Sequence, residues 1–90
     1  MSNRKQKTVL NQIRLYRRKR NLTLRQVSGL VGLSSPSHLS HWEKGRKLPK
    51  LHNALKLSAI IGCPIEILFI DLFNSIRAEI HQAKKSLYEK

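Results

Sequence analysis

The residues best equipped for chemistry lie between positions 35 and 50, in Ser35-Pro36-Ser37-His38-Leu39-Ser40-His41-Trp42-Glu43-Lys44-Gly45-Arg46-Lys47-Leu48-Pro49-Lys50. Ser37 and His41 are four apart and therefore share one face of a helix. Their hydroxyl and imidazole groups suit hydrogen bonds to base edges in a major groove, where a histidine N–H matches a guanine acceptor. Ser35, Pro36, His38 and Ser40 flank them as further base-contact candidates, and His38 also suits a phosphate. Leu39 and Trp42, three apart, lie away from Ser37 and His41, where they can hold the helix on a core. Trp42 could stack on a base, but that spacing favours a core role. Lys44, Arg46, Lys47 and Lys50 follow as a basic end that can grip backbone phosphates. His38 and His41 could be read as metal ligands, but no third ligand lies nearby, so neither a metal nor a cofactor is expected.

The charge distribution points the same way. The 90 residues carry a net charge of +13. Residues 1–50 hold thirteen bases and one acid, Glu43, a net of +12, whereas residues 51–90 hold five bases and four acids, a net of +1. A charge that served solubility alone would have no reason to avoid the second half. A polyanion partner does supply a reason, and nucleic acid is the commonest. Arg14, Arg17 and Arg18 join the phosphate candidates, and Lys19 and Arg20 extend that basic run. Arg4, Lys5 and Lys7 fit an arm that adds salt-dependent affinity without specificity. Five acids, without paired carboxylates or a nucleophile–base constellation, argue against an enzyme. A single-strand RNA reader would need exposed stacking aromatics, which the chain lacks.

Helices must position these groups. The length suits one domain with a small core. The single Cys63, set among apolar neighbours, reads as a buried thiol in a reducing compartment. Neither a signal peptide nor a membrane span is visible. Val9, Ile13, Tyr16 and Arg17 predict a first helix over residues 8–19. Thr23 and Gln26 form the pattern of a capping box for a second, which should bury Leu24, Val27, Leu30 and Val31 and stop at Gly32. Ser35 and Pro36 open a third that ends at Gly45. Leu51, Leu55, Leu57, Ser58 and Ile61 pattern a fourth, closed by Gly62. Pro64 starts a fifth, with Ile65, Leu68 and Phe69 facing inward.

From about Leu10 to Phe69 the chain resembles the Cro/CI-like, XRE-type helix-turn-helix family. The matching pieces are Thr23-x-x-x-Val27-Ser28-x-x-x-Gly32-Leu33-Ser34 for its second helix and turn, and Leu39-Ser40-x-Trp42-Glu43-Lys44-Gly45-Arg46-x-x-Pro49 for its recognition helix and exit. Leu51, Leu55, Leu57-Ser58, Ile61-Gly62, Ile65 and Leu68 match its last two helices. Leu24 departs from the family, which often has a glutamine at the start of the second helix. The resemblance implies a five-helix, phage-repressor-like DNA-binding domain over residues 9–71, preceded by a basic arm (1–8) and followed by a helical extension (72–90), all-α throughout. It also implies a salt bridge between Arg17 and Glu43 that ties the first helix to the third. That would account for the lone acid in the basic half. The implied origin is bacterial or phage, and the implied location the cytoplasm, at the nucleoid.

Phe69, Phe73, Ile76, Ile80, Ala83 and Leu87 are spaced 4, 3, 4, 3, 4, a heptad seam on a helix over residues 72–88. Phe73, Ile76, Ile80, Ala83 and Leu87 form a candidate dimer interface; the alternative is a helix folded back over its own core. The expected function is a sequence-specific double-stranded DNA-binding transcriptional regulator, a repressor on a near-palindromic operator as a homodimer. The alternative is an antitoxin-like protein that neutralises a partner toxin and binds DNA for autoregulation.

Overall fold

Thr23 does at the start of the second helix what its sequence context predicts. Its Oγ1 accepts a hydrogen bond from Gln26 N at 3.0 Å, and Gln26 Oε1 accepts from Thr23 N at 2.9 Å. Two orphan amides are thus satisfied reciprocally. The computed structural model describes residues 10–89. It contains α1 (Ile13–Lys19), α2 (Leu24–Val31), α3 (Pro36–Glu43), α4 (Leu51–Ile61), α5 (Ile65–Leu68) and α6 (Ile70–Tyr88). There is no strand among the described residues, so the fold is all-α. The basic arm at residues 1–8 lies outside the described residues, apart from which the helix order follows the sequence pattern. No helix there is long and apolar enough to cross a membrane.

Helix α1 starts later than its periodicity suggests. Asn11 and Gln12 are not helical, because both are used as ties. Gln12 N donates to Leu68 O at 2.7 Å, and Asn11 Oδ1 accepts from Ile13 N at 3.1 Å. Helix α2 ends at Gly32, whose φ of +94° lies in the left-handed region that a side chain disfavours. Leu30, expected inside, is 64% exposed. The buried stripe of α2 runs through Val27, Ser28 and Val31, and Leu30 sits about 100° of helical rotation from Val31 on the side away from Ser28. Leu51 and Leu55 of α4 are likewise 70% and 50% exposed, flanking the inward stripe of Ala54, Leu57 and Ile61.

The core joins all of the first five helices. Ile13, Val27, Leu39, Leu57 and Leu68 are each fully buried, and Val31, Trp42, Ile61, Cys63 and Phe69 close around them. Each large side chain of this kind contributes about 1.5–3 kcal/mol by leaving water. Two cations secure helix ends across this core. Lys56 Nζ donates to Val31 O at 2.9 Å, at the end of α2. Arg20 Nε and Nη2 donate to Ile61 O and Gly62 O at 2.9 and 3.2 Å, at the end of α4. A cation there satisfies orphan carbonyls and meets the negative end of the helix dipole.

Helix α6 behaves differently. It starts at Ile70, after the non-helical and buried Phe69, and none of its own residues is buried. Phe73, Ile76, Ile80 and Leu87 remain 40–67% exposed. The helix therefore does not fold back over the core. It projects, and the radius of gyration is 15.7 Å against about 12 Å for a compact chain of this length.

Among the described residues, one buried side-chain atom lacks a partner. Ser28 is 3% exposed, and its Oγ makes no hydrogen bond. Ser28→Ala removes an unsatisfied buried hydroxyl and places the best helix former inside α2. It should stabilise the protein by about 1 kcal/mol, a rise in Tm of roughly 4–8 °C. A thermal melt showing destabilisation would reveal a role for that hydroxyl.

Candidate nucleic-acid interface

Helix α3 is built to present one face outward. Ser35 caps it, its Oγ accepting from Ser37 N at 3.0 Å, and Pro36 occupies the first turn, where a missing N–H is harmless. Leu39 is fully buried and Trp42 is 7% exposed, so the inner face is fixed. The outer strip is Ser37, Ser40, His41 and Lys44, linked by spacings of three and four. Ser37 and Lys44 are exposed, whereas Ser40 and His41 are half-buried. His38 is exposed beside this strip. Ser35 and Ser37 hydroxyls lie 2.9 Å apart. Ser35, named above as a base-contact candidate, is thus engaged first as the helix cap. The two histidines stand without further ligands: among the described residues no group of three potential metal ligands occurs.

The far end of α3 is tied to α1 and to the segment before it by two side chains, Arg17 and Asn11. Arg17 Nε donates to Glu43 Oε2 at 2.5 Å, and Arg17 Nη2 donates to Glu43 Oε1 at 3.1 Å. This is a bidentate pair, the geometry in which a guanidinium matches a carboxylate best. Arg17 Nη1 also donates to Leu22 O at 2.8 Å, which joins the α1–α2 turn to the same node. The side chains of Arg17 and Glu43 are 8% and 5% exposed. Asn11 Nδ2 completes the set by donating to Trp42 O at 2.8 Å. Gly45, buried and with a φ of +75°, then turns the chain sharply, and Arg46 N reaches back to His41 O at 3.0 Å.

Arg17, expected both to pair with Glu43 and to contact phosphate, makes the first of these contacts: its guanidinium is buried and directed at Glu43 and Leu22, so it braces the site from within. The other cations divide into two groups. Arg14, Arg18 and Lys44 line a groove between α1, the turn at residues 20–23 and α3, together with Thr23 and Ser40. Arg46, Lys47 and Lys50 are exposed on the loop that leaves α3. Of the remaining basic run, Arg20 is engaged at the end of α4, and Lys19 Nζ sits 5.4 Å from the Tyr16 ring centroid.

Three anchoring residues escaped the sequence reading: Asn11, Arg20 and Lys56. Asn11 before a helix carries a local capping signal, but its bond to Trp42 spans 31 positions. Arg20 and Lys56 reach carbonyls 41 and 25 positions away. In the sequence nothing separates them from cations that face a polyanion.

The helix-turn-helix family model matches residues 13–68, more than half of the chain and the whole of α1 through α5. No curated protein matches the chain.

Proposed function

From the premise that this chain belongs to the XRE-type helix-turn-helix family, and is therefore a DNA-binding transcription regulator, we propose that it represses transcription by binding a near-palindromic operator as a homodimer. The observation that carries this reading is the polar strip Ser37–Ser40–His41–Lys44. It lies on a helix whose opposite face is locked by Leu39 and Trp42 and whose end is braced by the Arg17–Glu43 pair. Such a helix enters a major groove with its geometry already set, so ordering it costs little on binding. Arg14, Arg18 and Lys44 on one side, and Arg46, Lys47 and Lys50 on the other, would straddle the groove and hold the flanking phosphates. Two such readers joined through Phe73, Ile76, Ile80, Ala83 and Leu87 would address half-sites about 34 Å apart, one turn of duplex.

The test separates readers from phosphate contacts. After selection of bound sites from random duplex DNA, His41→Ala and Ser37→Ala should each lower the preference for the selected site by roughly 1–3 kcal/mol while leaving non-specific affinity nearly unchanged. Arg46→Ala should weaken all sequences alike. Intact discrimination in both the His41 and Ser37 variants would show that α3 presents a different face to DNA.

A further inference from the structure

The apolar seam of α6 does not end where that helix meets the body. A groove continues it, formed on one side by Leu48, Pro49, Leu51 and Ala54 and on the other by Ile65, Phe69, Phe73 and Ile76. Leu48 is 50% and Leu51 70% exposed, more than Phe73 at 40% or Ile76 at 45%. Leu48 sits inside the basic exit loop, between Lys47 and Pro49, and Leu51 opens α4 directly after Lys50.

We propose that this groove and the α6 seam form one continuous face, that a second copy of the chain covers it, and that dimer formation thereby clamps the phosphate-gripping loop. The inference rests on the homodimer reading above and extends it from α6 to the loop. Two observations select a second copy as the occupant. The first is area. At about 200 Å² of surface for a free large side chain, the exposed fractions of Leu48, Leu51, Phe73, Ile76, Ile80 and Leu87 amount to roughly 650 Å². A standard interface buries about 800 Å² per partner, about two thirds of it apolar in homodimers. The seam alone falls short of that apolar share, and the groove supplies the difference. The second is charge. Two chains at +13 repel each other, but α6 and its C-cap carry three acids (Asp71, Glu79, Glu89) and three bases (Arg77, Lys84, Lys85), and Glu66 borders the groove. Helix α6 with its C-cap therefore carries no net charge, and two copies can approach through it with less repulsion than through the basic half.

Clamping follows from chain continuity. The loop from Lys44 to Lys50 is held at one end by α3 and at the other by α4, so covering Leu48 and Leu51 restrains Arg46, Lys47 and Lys50 between α3 and a seated α4 start. Dimer formation would then order the phosphate contacts before DNA arrives.

Sedimentation of three full-length proteins without DNA tests this: the unmodified chain, Ile80→Asp and Leu51→Glu. Leu51 is mostly exposed, so its variant should keep the unmodified helix content. The expected result is a dimer for the unmodified chain and a dissociation constant raised at least about 30-fold by either substitution. A dimer that is broken by Ile80→Asp but unaffected by Leu51→Glu overturns the groove proposal and leaves the α6 seam standing. A monomeric unmodified chain at high micromolar concentration overturns both. Hydrogen exchange supplies a second reading that needs no variant. The amides of Leu51, His52 and Asn53, in the first turn of α4, should become protected as the concentration of the unmodified chain rises through the dimer range. Exchange that stays fast there while the chain dimerises also overturns the groove proposal.

Discussion

Glu43→Ala is expected to destabilise the protein by about 3–5 kcal/mol, a large share of the stability of a domain this size. The magnitude follows from what is left behind. Arg17 and Glu43 are 8% and 5% exposed, and the guanidinium would lose both of its carboxylate contacts while remaining enclosed. An uncompensated buried charge costs more than the pair contributes. The DNA-binding phenotype separates two opposite mechanisms. Glu43 is the only acid among residues 1–50, so removing it takes a like charge away from phosphate and, on electrostatics alone, should tighten binding. If its work is to hold the end of α3 against α1, binding should weaken even at temperatures where the variant is fully folded. We expect the second outcome. A double-mutant cycle with Arg17→Ala should show strong coupling, since each single change already breaks the same node. Additive single effects would mean that the two side chains act separately and that the node is not what orients α3.

The Arg17–Glu43 node also marks how far the sequence could be read. Elements whose signals are local were legible. The Thr23/Gln26 capping box, the Ser35–Pro36 start of α3 and the glycines at 32, 45 and 62 each depend on residues within a few positions, and each stands where its pattern placed it. The inner face of α3 was legible for the same reason, because Leu39 and Trp42 fix it by spacing alone. The Arg17–Glu43 pairing came from family resemblance and not from spacing, since 26 positions separate its partners. What stayed illegible is the sorting of the cations. Arg14, Arg18 and Arg20 look equivalent on the page, yet Arg20 is turned towards the end of α4 while the others line the groove beside α3. Only tertiary structure decides which carbonyls lie within reach. The width of the buried stripe on α2 and α4 was not legible for a related reason. Periodicity reports that a stripe exists, but the width of the buried part depends on what packs against it, so Leu30, Leu51 and Leu55 fit the pattern and still face outward.

That sorting predicts the second large effect, in the salt dependence of DNA binding. Six of the expected phosphate contacts are exposed: Arg14, Arg18, Lys44, Arg46, Lys47 and Lys50. If each neutralises one phosphate, the log affinity for a half-site should fall against log salt with a slope of about −5, before any contribution from Arg4, Lys5 and Lys7. Between 50 and 200 mM salt, that is a loss of roughly a thousandfold. Variants of this chain resolve the slope residue by residue. Arg46→Ala and Lys47→Ala should each make the slope shallower by about 1. Lys56→Met should leave it unchanged, because Lys56 Nζ is bound to Val31 O and faces α2. Arg20→Met should do the same, whatever either change does to stability. His41→Ala should lower affinity for the selected site at every salt concentration and keep the slope, since a neutral base contact releases no counterion. A flat slope for the unmodified protein would reject phosphate gripping by this half of the molecule. A slope that Lys56→Met and Arg46→Ala reduce equally would show that Lys56 also meets phosphate, and that its bond to the end of α2 gives way when DNA is present.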